Sequence, residues 1–102
     1  MESLIFSLLD EETAVHMSDL FRSLSDPTRL KIIAALMDGE INVGNLVERM
    51  GLSKSAISHQ LRGLRDKRVI RWRKQGRQVF IALDDDHIAE LFRRSLDHVR
   101  HQ

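Results

Sequence analysis

The sequence predicts a mainly α-helical domain that carries one β-hairpin, and three observations support this fold class. Apolar residues recur at helical spacing in several segments. A Gly-Leu-Ser turn at positions 51–53 joins two of these segments. A β-rich run broken by Gly76 follows directly after them. Two helices joined by a tight turn and followed by a hairpin are the pattern of a winged helix-turn-helix.

The 102 residues are expected to form one domain, 1–102. A chain this short buries a small share of its surface, which favours a homodimer, and its N- and C-terminal helices are expected to form the interface. The apolar stretch 4–9 is too short for a membrane helix and lacks the basic residues of a signal peptide. We therefore interpret it as a packing segment of a cytoplasmic protein.

Two helices are predicted before the turn motif. The first covers about 11–24, and its apolar face comprises Met17, Leu20, Phe21 and Leu24. The second begins after Asp26, which precedes a proline at the first helical position. Gly39 ends this helix, and its periodic apolar residues are Leu30, Ile33, Ala34 and Met37.

The helix-turn-helix is predicted over about 43–67. Asn42 caps a short helix that ends at Met50, and Gly51 supplies the left-handed residue that follows a helix. Ser53 caps the second helix, which we place at about 54–67. Its buried face is predicted to comprise Ile57, Leu61 and Leu64. The next run, 69–83, is predicted to form the hairpin, or wing, in which Trp72 packs rather than stacks on a base.

Basic residues concentrate in this helix and wing. From Lys54 to Arg77 there are nine basic residues and one acidic residue, a charge of +8, which leaves −7 for the rest of a chain of net charge +1. Such a block is typical of a protein that binds a polyanion, and we expect double-stranded DNA. The residues predicted to contact DNA are Lys54, Ser55, Ser58, His59, Gln60, Arg62, Arg73, Lys74, Gln75 and Arg77.

The last predicted helix, 86–101, carries a stripe of histidines beside its apolar face. His98 and His101 follow His87 by 11 and 14 residues, which places them at about +20° and −40° around the helix. Asp85 stands at the start of the helix. Three nitrogens and one carboxylate are a tetrahedral ligand set suited to Zn(II), and they also fit Co(II).

One chain is unable to close this set, because 11 residues of helix separate His87 from His98 by about 16 Å. The sequence therefore predicts two half-sites, Asp85/His87 and His98/His101, at opposite ends of one helix. An antiparallel twofold partner brings complementary halves together. We expect two equivalent metal sites per homodimer.

The chain resembles the ArsR/SmtB family of metal-sensing winged-helix repressors, in its zinc- and cobalt-sensing branch. The matching segments are Leu24-Ser25-Asp26-Pro27-Thr28-Arg29-Leu30, Ser58-His59-Gln60-Leu61, Arg73-Lys74-Gln75-Gly76-Arg77 and the Asp85/His87/His98/His101 set. The resemblance implies a homodimeric repressor that releases its operator when metal binds between the paired last helices. It also implies that the second ring nitrogen of His98 is held by the backbone near Arg68.

One departure from the family pattern narrows the range of metals that this chain is expected to bind. Some members of the family carry a cysteine at the position of Asn42, and this chain has no cysteine, so a thiolate site for soft metals lacks ligands. His16 stands apart from the histidine stripe, and an extra ligand role for it stays open. Three alternatives also stay open: a repressor that responds to Ni(II) or to no metal, a metalloenzyme, and a metal buffer. Four protein ligands disfavour the enzyme, and the basic block disfavours the buffer.

Overall fold

The computed structural model describes residues 3–101, and its order of elements confirms the predicted fold class. The helices in this range are α1 (Leu4–Leu8), α2 (Glu11–Leu24), α3 (Pro27–Leu36), α4 (Val43–Met50), α5 (Lys54–Asp66) and α6 (Asp86–Arg100). The strands are β1 (Ile41–Asn42), β2 (Ile70–Gln75) and β3 (Gln78–Leu83). No helix in this range is long and apolar enough to cross a membrane.

The hydrophobic core lies between α3, α4, α5 and the sheet. Ten of its eleven buried hydrophobic residues fall between positions 32 and 81, and the eleventh, Ile88, comes from α6. All three residues predicted for the buried face of α5 belong to this core. The buried set is Ile32, Ile33, Leu36, Leu46, Ile57, Leu61, Leu64, Val69, Ile70, Ile81 and Ile88.

The predicted caps around the turn motif are confirmed. Asn42 Oδ1 accepts a hydrogen bond from the Gly44 N–H at 2.6 Å, and Ser53 Oγ accepts one from the Ala56 N–H at 3.1 Å. Gly51 has a φ of +68°, the left-handed conformation that glycine adopts without steric cost. These three residues fix the angle at which α5 leaves α4.

The structure differs from the predictions in the sheet and at the ends of helices. The sheet has a third strand, β1, which pairs antiparallel with β3, so that Ile41 lies opposite Ile81. Two residues are too few to show the alternation that predicts a strand. Helices α5 and α6 each end one residue earlier than predicted, and Lys67 and His101 are C-cap residues.

Helix α3 has apolar residues on two sides. Its buried residues are Ile32, Ile33 and Leu36, whereas Leu30 and Ala34 are exposed. Those two residues line an apolar groove of about 520 Å³ between α2, α3 and α6. One side of α3 therefore belongs to the core, and the other side faces the groove.

Candidate nucleic-acid and metal-binding sites

Helix α5 presents a polar face to solvent opposite its buried face. Lys54, Ser55, His59 and Arg62 are exposed and Ser58 is half-buried, while Ile57, Leu61 and Leu64 hold the helix to the core. Five of the six residues predicted on α5 to contact DNA therefore share one accessible surface. The sixth, Gln60, lies elsewhere.

The wing places its side chains on two faces, because successive residues of a strand point to opposite sides. Trp72 and Lys74 share one face of β2, and Arg73 and Gln75 share the other. The turn between the strands is the pair Gly76-Arg77, and Gly76 has a φ of +63°, as two-residue hairpin turns require. Lys74 and Arg77 are both exposed.

A cleft of about 530 Å³ separates the start of α5 from the wing. Its lining includes Lys54, Ser58 and Arg62 from α5, and Trp72 and Arg77 from the wing. Four of the residues predicted to contact DNA thus border one concave surface that carries three positive charges. Such a surface suits a polyanionic backbone.

Arg73 is already paired within the chain. Its Nε and Nη2 donate to the two carboxylate oxygens of Glu40, at 2.9 Å and 2.7 Å, and its Nη1 donates to Gln75 Oε1 at 2.8 Å. The guanidinium holds the pKa of the Glu40 carboxyl below its ordinary value. The carboxylate offsets the charge of Arg73, so this arginine differs electrostatically from Arg77.

Trp72 packs within the chain on one side. The guanidinium of Arg65 lies 3.7 Å from the centroid of the indole ring, a cation–π contact between α5 and the wing. Sequence reasoning missed Arg65 and Glu40, because both pairs join residues that are distant in sequence or on different elements.

The residues predicted for the first metal half-site lie at the start of α6. Asp85 is the N-cap residue, and its Oδ1 accepts a hydrogen bond from the Ile88 N–H at 3.1 Å. Its other oxygen, Oδ2, lies 3.5 Å from His87 Nδ1, and the His87 side chain is 96% exposed. The cap therefore holds the carboxylate beside an almost fully exposed imidazole, and the cap hydrogen bond uses only one of the two carboxylate oxygens.

The second half-site lies at the other end of α6. His98 is in the last turn, His101 is the C-cap residue, and both are exposed. Within residues 3–101 no three histidine, aspartate or glutamate side chains gather closely enough to hold a metal ion. The four predicted ligands are thus divided into two pairs, and His16 is on α2.

Arg68 follows α5 in an unusual conformation, with a φ of +58°. The Arg68 N–H donates to the Arg65 carbonyl at 2.9 Å, and the Val69 N–H donates to the Leu64 carbonyl at 2.9 Å. These two bonds form a Schellman motif, in which glycine usually occupies the left-handed position. Just beyond it, the Asp84 N–H donates to the Val69 carbonyl at 2.9 Å, which joins the approach to α6 to the end of α5.

Comparison with known proteins agrees with this architecture. Residues 26–71 match the family described as bacterial regulatory protein, arsR family. A transcriptional repressor SmtB homolog from Synechocystis is 40% identical over 89 residues, which cover 87% of this chain and 67% of that protein. The HTH-type transcriptional regulator NmtR from Mycobacterium tuberculosis is 34% identical over 93 residues, which cover 91% and 78%.

Solved structures show the same fold. HlyU from Vibrio cholerae superposes with a TM-score of 0.80 at 29% identity, over 91% of this chain and 100% of that one. The sequence match and the shared winged helix identify a family of regulators rather than enzymes. The chain belongs to the arsR family of bacterial regulatory proteins.

Proposed function

We propose that this chain is a cytoplasmic transcriptional repressor that binds operator DNA as a homodimer and releases it when Zn(II) or Co(II) binds. The observation that carries the proposal is the cleft between α5 and the wing, where Lys54, Arg62 and Arg77 converge. In this arrangement α5 enters the major groove and the wing follows the neighbouring backbone. Phosphate contacts supply most of the affinity, and α5 side chains read bases.

The proposed dimer is supported by the apolar surface that one chain leaves uncovered. In the groove between α2, α3 and α6, Phe21, Leu30, Leu96 and Val99 are exposed large hydrophobic residues. Apolar surface of this kind marks an interface. A twofold partner covers it and sets the separation of the two α5 helices, which must match two operator half-sites about one helical turn apart.

The metal proposal follows from the placement of the four ligands. Asp85 and His87 lie side by side at one end of α6, and His98 and His101 lie at the other. An antiparallel pair of α6 helices joins Asp85 and His87 of one protomer to the second pair of its partner. Three nitrogens and one oxygen complete a tetrahedral shell for Zn(II) or Co(II), with two such sites per dimer.

Metal binding is coupled to DNA binding through the end of α5. The Asp85/His87 pair begins one residue after Asp84, whose N–H is bonded to the Val69 carbonyl, and Arg71 Nη1 donates to the Asp84 carbonyl at 3.1 Å. The backbone near Arg68 is the proposed acceptor for the second ring nitrogen of His98. Metal that clamps two α6 helices therefore shifts the paired α5 helices, and the coupling is reciprocal.

Complementation between two inactive variants tests the shared site. His87→Gln and His98→Gln each break both sites of a homodimer. A heterodimer of one chain of each kind retains His87 from one protomer and His98 from the other, so one site stays complete. Two differently tagged chains are co-expressed, the heterodimer is purified, and Zn(II) is titrated against a chromophoric chelator, with Co(II) absorption reporting the geometry.

We expect one tight site in the heterodimer, two in the wild type and none in either homodimer. A heterodimer without a tight site rejects ligand sharing across the twofold axis. Tight binding by both variant homodimers removes these histidines from the site. If the wild type binds neither Zn(II) nor Co(II) tightly, the result favours the alternative of a repressor that responds to Ni(II) or to no metal.

The two wing arginines are expected to differ in how they depend on salt. Arg77→Ala removes an unpaired charge beside the cleft, and we expect it to reduce the slope of log K against log salt by about 1. Arg73→Ala, the matched control, removes a charge that Glu40 already offsets, so a smaller change is expected. Fluorescence anisotropy on one duplex over a salt series measures both, and equal slopes contradict the distinction.

A further inference from the structure

The six α5 residues predicted to contact DNA do not share one face. On an ideal helix with about 100° per residue, Lys54, Ser55, Ser58, His59 and Arg62 centre about 130° from the direction of Ile57. Gln60 lies about 170° from that centre, beside the buried face. It is half-buried, whereas four of the other five are exposed.

Gln60 is bound to an arginine of another helix. Arg29, in the first turn of α3, donates from Nε to Gln60 Oε1 at 2.7 Å. An adenine is read by glutamine through the amide oxygen and the amide nitrogen together. The oxygen of Gln60 is held instead by a charged donor, whose hydrogen bonds are stronger than those between neutral groups.

The same arginine reaches the end of α2. Arg29 Nη1 donates to the Ser23 carbonyl at 3.2 Å, one of the last four carbonyls of that helix, which have no partner within it. Ser23 is 4% exposed. One half-buried guanidinium therefore joins the end of α2, which borders the proposed dimer groove, to the middle of α5.

Gly63 marks how closely α5 approaches this guanidinium. A Cβ at position 63 would lie 3.0 Å from Arg29 Nη2. Glycine inside a helix costs about 0.5–1 kcal/mol relative to alanine. The close contact gives a reason for glycine at this position.

We propose that Arg29 is a positioning residue for DNA recognition: it fixes α5 against the end of α2, and Gln60 serves this contact rather than reading a base. The inference rests on the proposed DNA-binding function. Because α2 borders the groove that the partner covers, Arg29 transmits the geometry of the dimer to α5. Arg29 itself makes no phosphate contact.

The test separates this role from base reading. Gln60→Glu keeps an acceptor for Arg29 but removes the donor that adenine needs, whereas Gln60→Ala and Arg29→Ala each remove the contact. Arg93→Ala, on the outer side of α6, is the control for loss of one positive charge. Affinity for an operator selected from a random duplex library is measured beside affinity for a scrambled duplex, over a salt series.

We expect Arg29→Ala and Gln60→Ala each to lower operator affinity at least ten-fold with an unchanged salt slope. The double variant should be no weaker than the weaker single one. Gln60→Glu should retain the base preferences of the wild type. The proposal is overturned if Gln60→Glu loses a base preference, or if Arg29→Ala binds operator as the wild type does.

A second measurement separates failure of this inference from failure of DNA binding. Hydrogen exchange of the free protein should show faster exchange of the α5 amides around position 60 in Arg29→Ala, and wild-type rates in Arg93→Ala. Unchanged exchange in Arg29→Ala contradicts the proposal that Arg29 fixes α5, whether or not the protein binds DNA. Faster exchange in Arg29→Ala, found together with a wild type that does not bind DNA, would support the contact between Arg29 and α5. It would reject the proposed DNA-binding function, and with it the role of Arg29 in DNA recognition.

Discussion

The two parts of this molecule differ in how far each buries its own apolar residues. The winged core, residues 26–83, contains ten of the eleven buried hydrophobic residues among positions 3–101. The flanking helices, α1, α2 and α6, contain nine of the thirteen exposed large hydrophobic residues in the same range, and a tenth, Leu9, lies between α1 and α2. Helix α1 has no buried residue at all within its described span.

This difference suits the winged core and the flanking helices to two different roles. The winged core is closed by contacts within one chain, so it is able to hold α5 and the wing in a defined relation. The flanking helices leave apolar surface uncovered by the chain itself, and the proposed metal half-sites lie at the two ends of one of them, α6. In our account, recognition belongs to the closed part and regulation to the open part.

The largest effect is expected from a cavity in the winged core. Leu64 is fully buried, and Leu64→Ala should lower the free energy of unfolding by about 3 kcal/mol, through lost burial and an unfilled cavity. Leu8→Ala makes the same chemical change at a residue of α1 that is 63% exposed. Urea denaturation of both at one protein concentration compares the two regions, and equal losses contradict the division.

A charge on the open face is expected to separate the protomers while leaving each one folded. Val99 is 64% exposed and lines the groove. Val99→Asp should shift the protein from dimer to monomer in sedimentation velocity, because an unpaired carboxylate buried in an interface is costly. Arg93→Asp on another side of α6 is the control. A Val99→Asp protein that stays dimeric removes this groove from the interface.

The smallest effect is expected where the two parts meet, after α5. Arg68 has a φ of +58°, which costs a residue with a side chain about 1 kcal/mol. Arg68→Gly should therefore raise the free energy of unfolding by about that amount. Lys67→Gly, one residue earlier at a φ of −95°, should give no such gain. A loss of stability in Arg68→Gly would mean that its side chain contributes more than its conformation costs.

Sequence periodicity predicted the parts that are regular over several turns. The helices and the hairpin follow from repeated apolar spacing, and Asn42, Gly51 and Ser53 cap or end helices as their chemistry predicts. Strand β1 was not predicted, because two residues are too few to show the alternation that is typical of a strand. The spacing of the apolar residues of α3 predicted a helix but not its core face, because apolar residues occupy two sides and only tertiary packing decides between them.

The placement of the candidate residues was predictable where they share one helix and less so across elements, and the metal role of the four α6 residues stays a prediction. The spacing of Asp85, His87, His98 and His101 predicted two half-sites from helical geometry alone. The Arg73–Glu40 and Arg29–Gln60 pairs are separated by 33 and 31 positions in the sequence. No local sequence pattern predicts contacts between residues so far apart. The prediction that Gln60 contacts DNA did not use the helical period. Its angle around the α5 axis already separates it from the other five residues predicted to contact DNA.

The central claim is that one dimer binds either operator or metal with high affinity. Its most direct test is fluorescence anisotropy with a labelled duplex from the intergenic DNA beside the gene, titrated with EDTA-treated protein and again with Zn(II) present. We predict tight binding that weakens at least ten-fold with Zn(II), a coupling of about 1.4 kcal/mol. Tight binding that is the same with and without Zn(II) and Co(II) would contradict it.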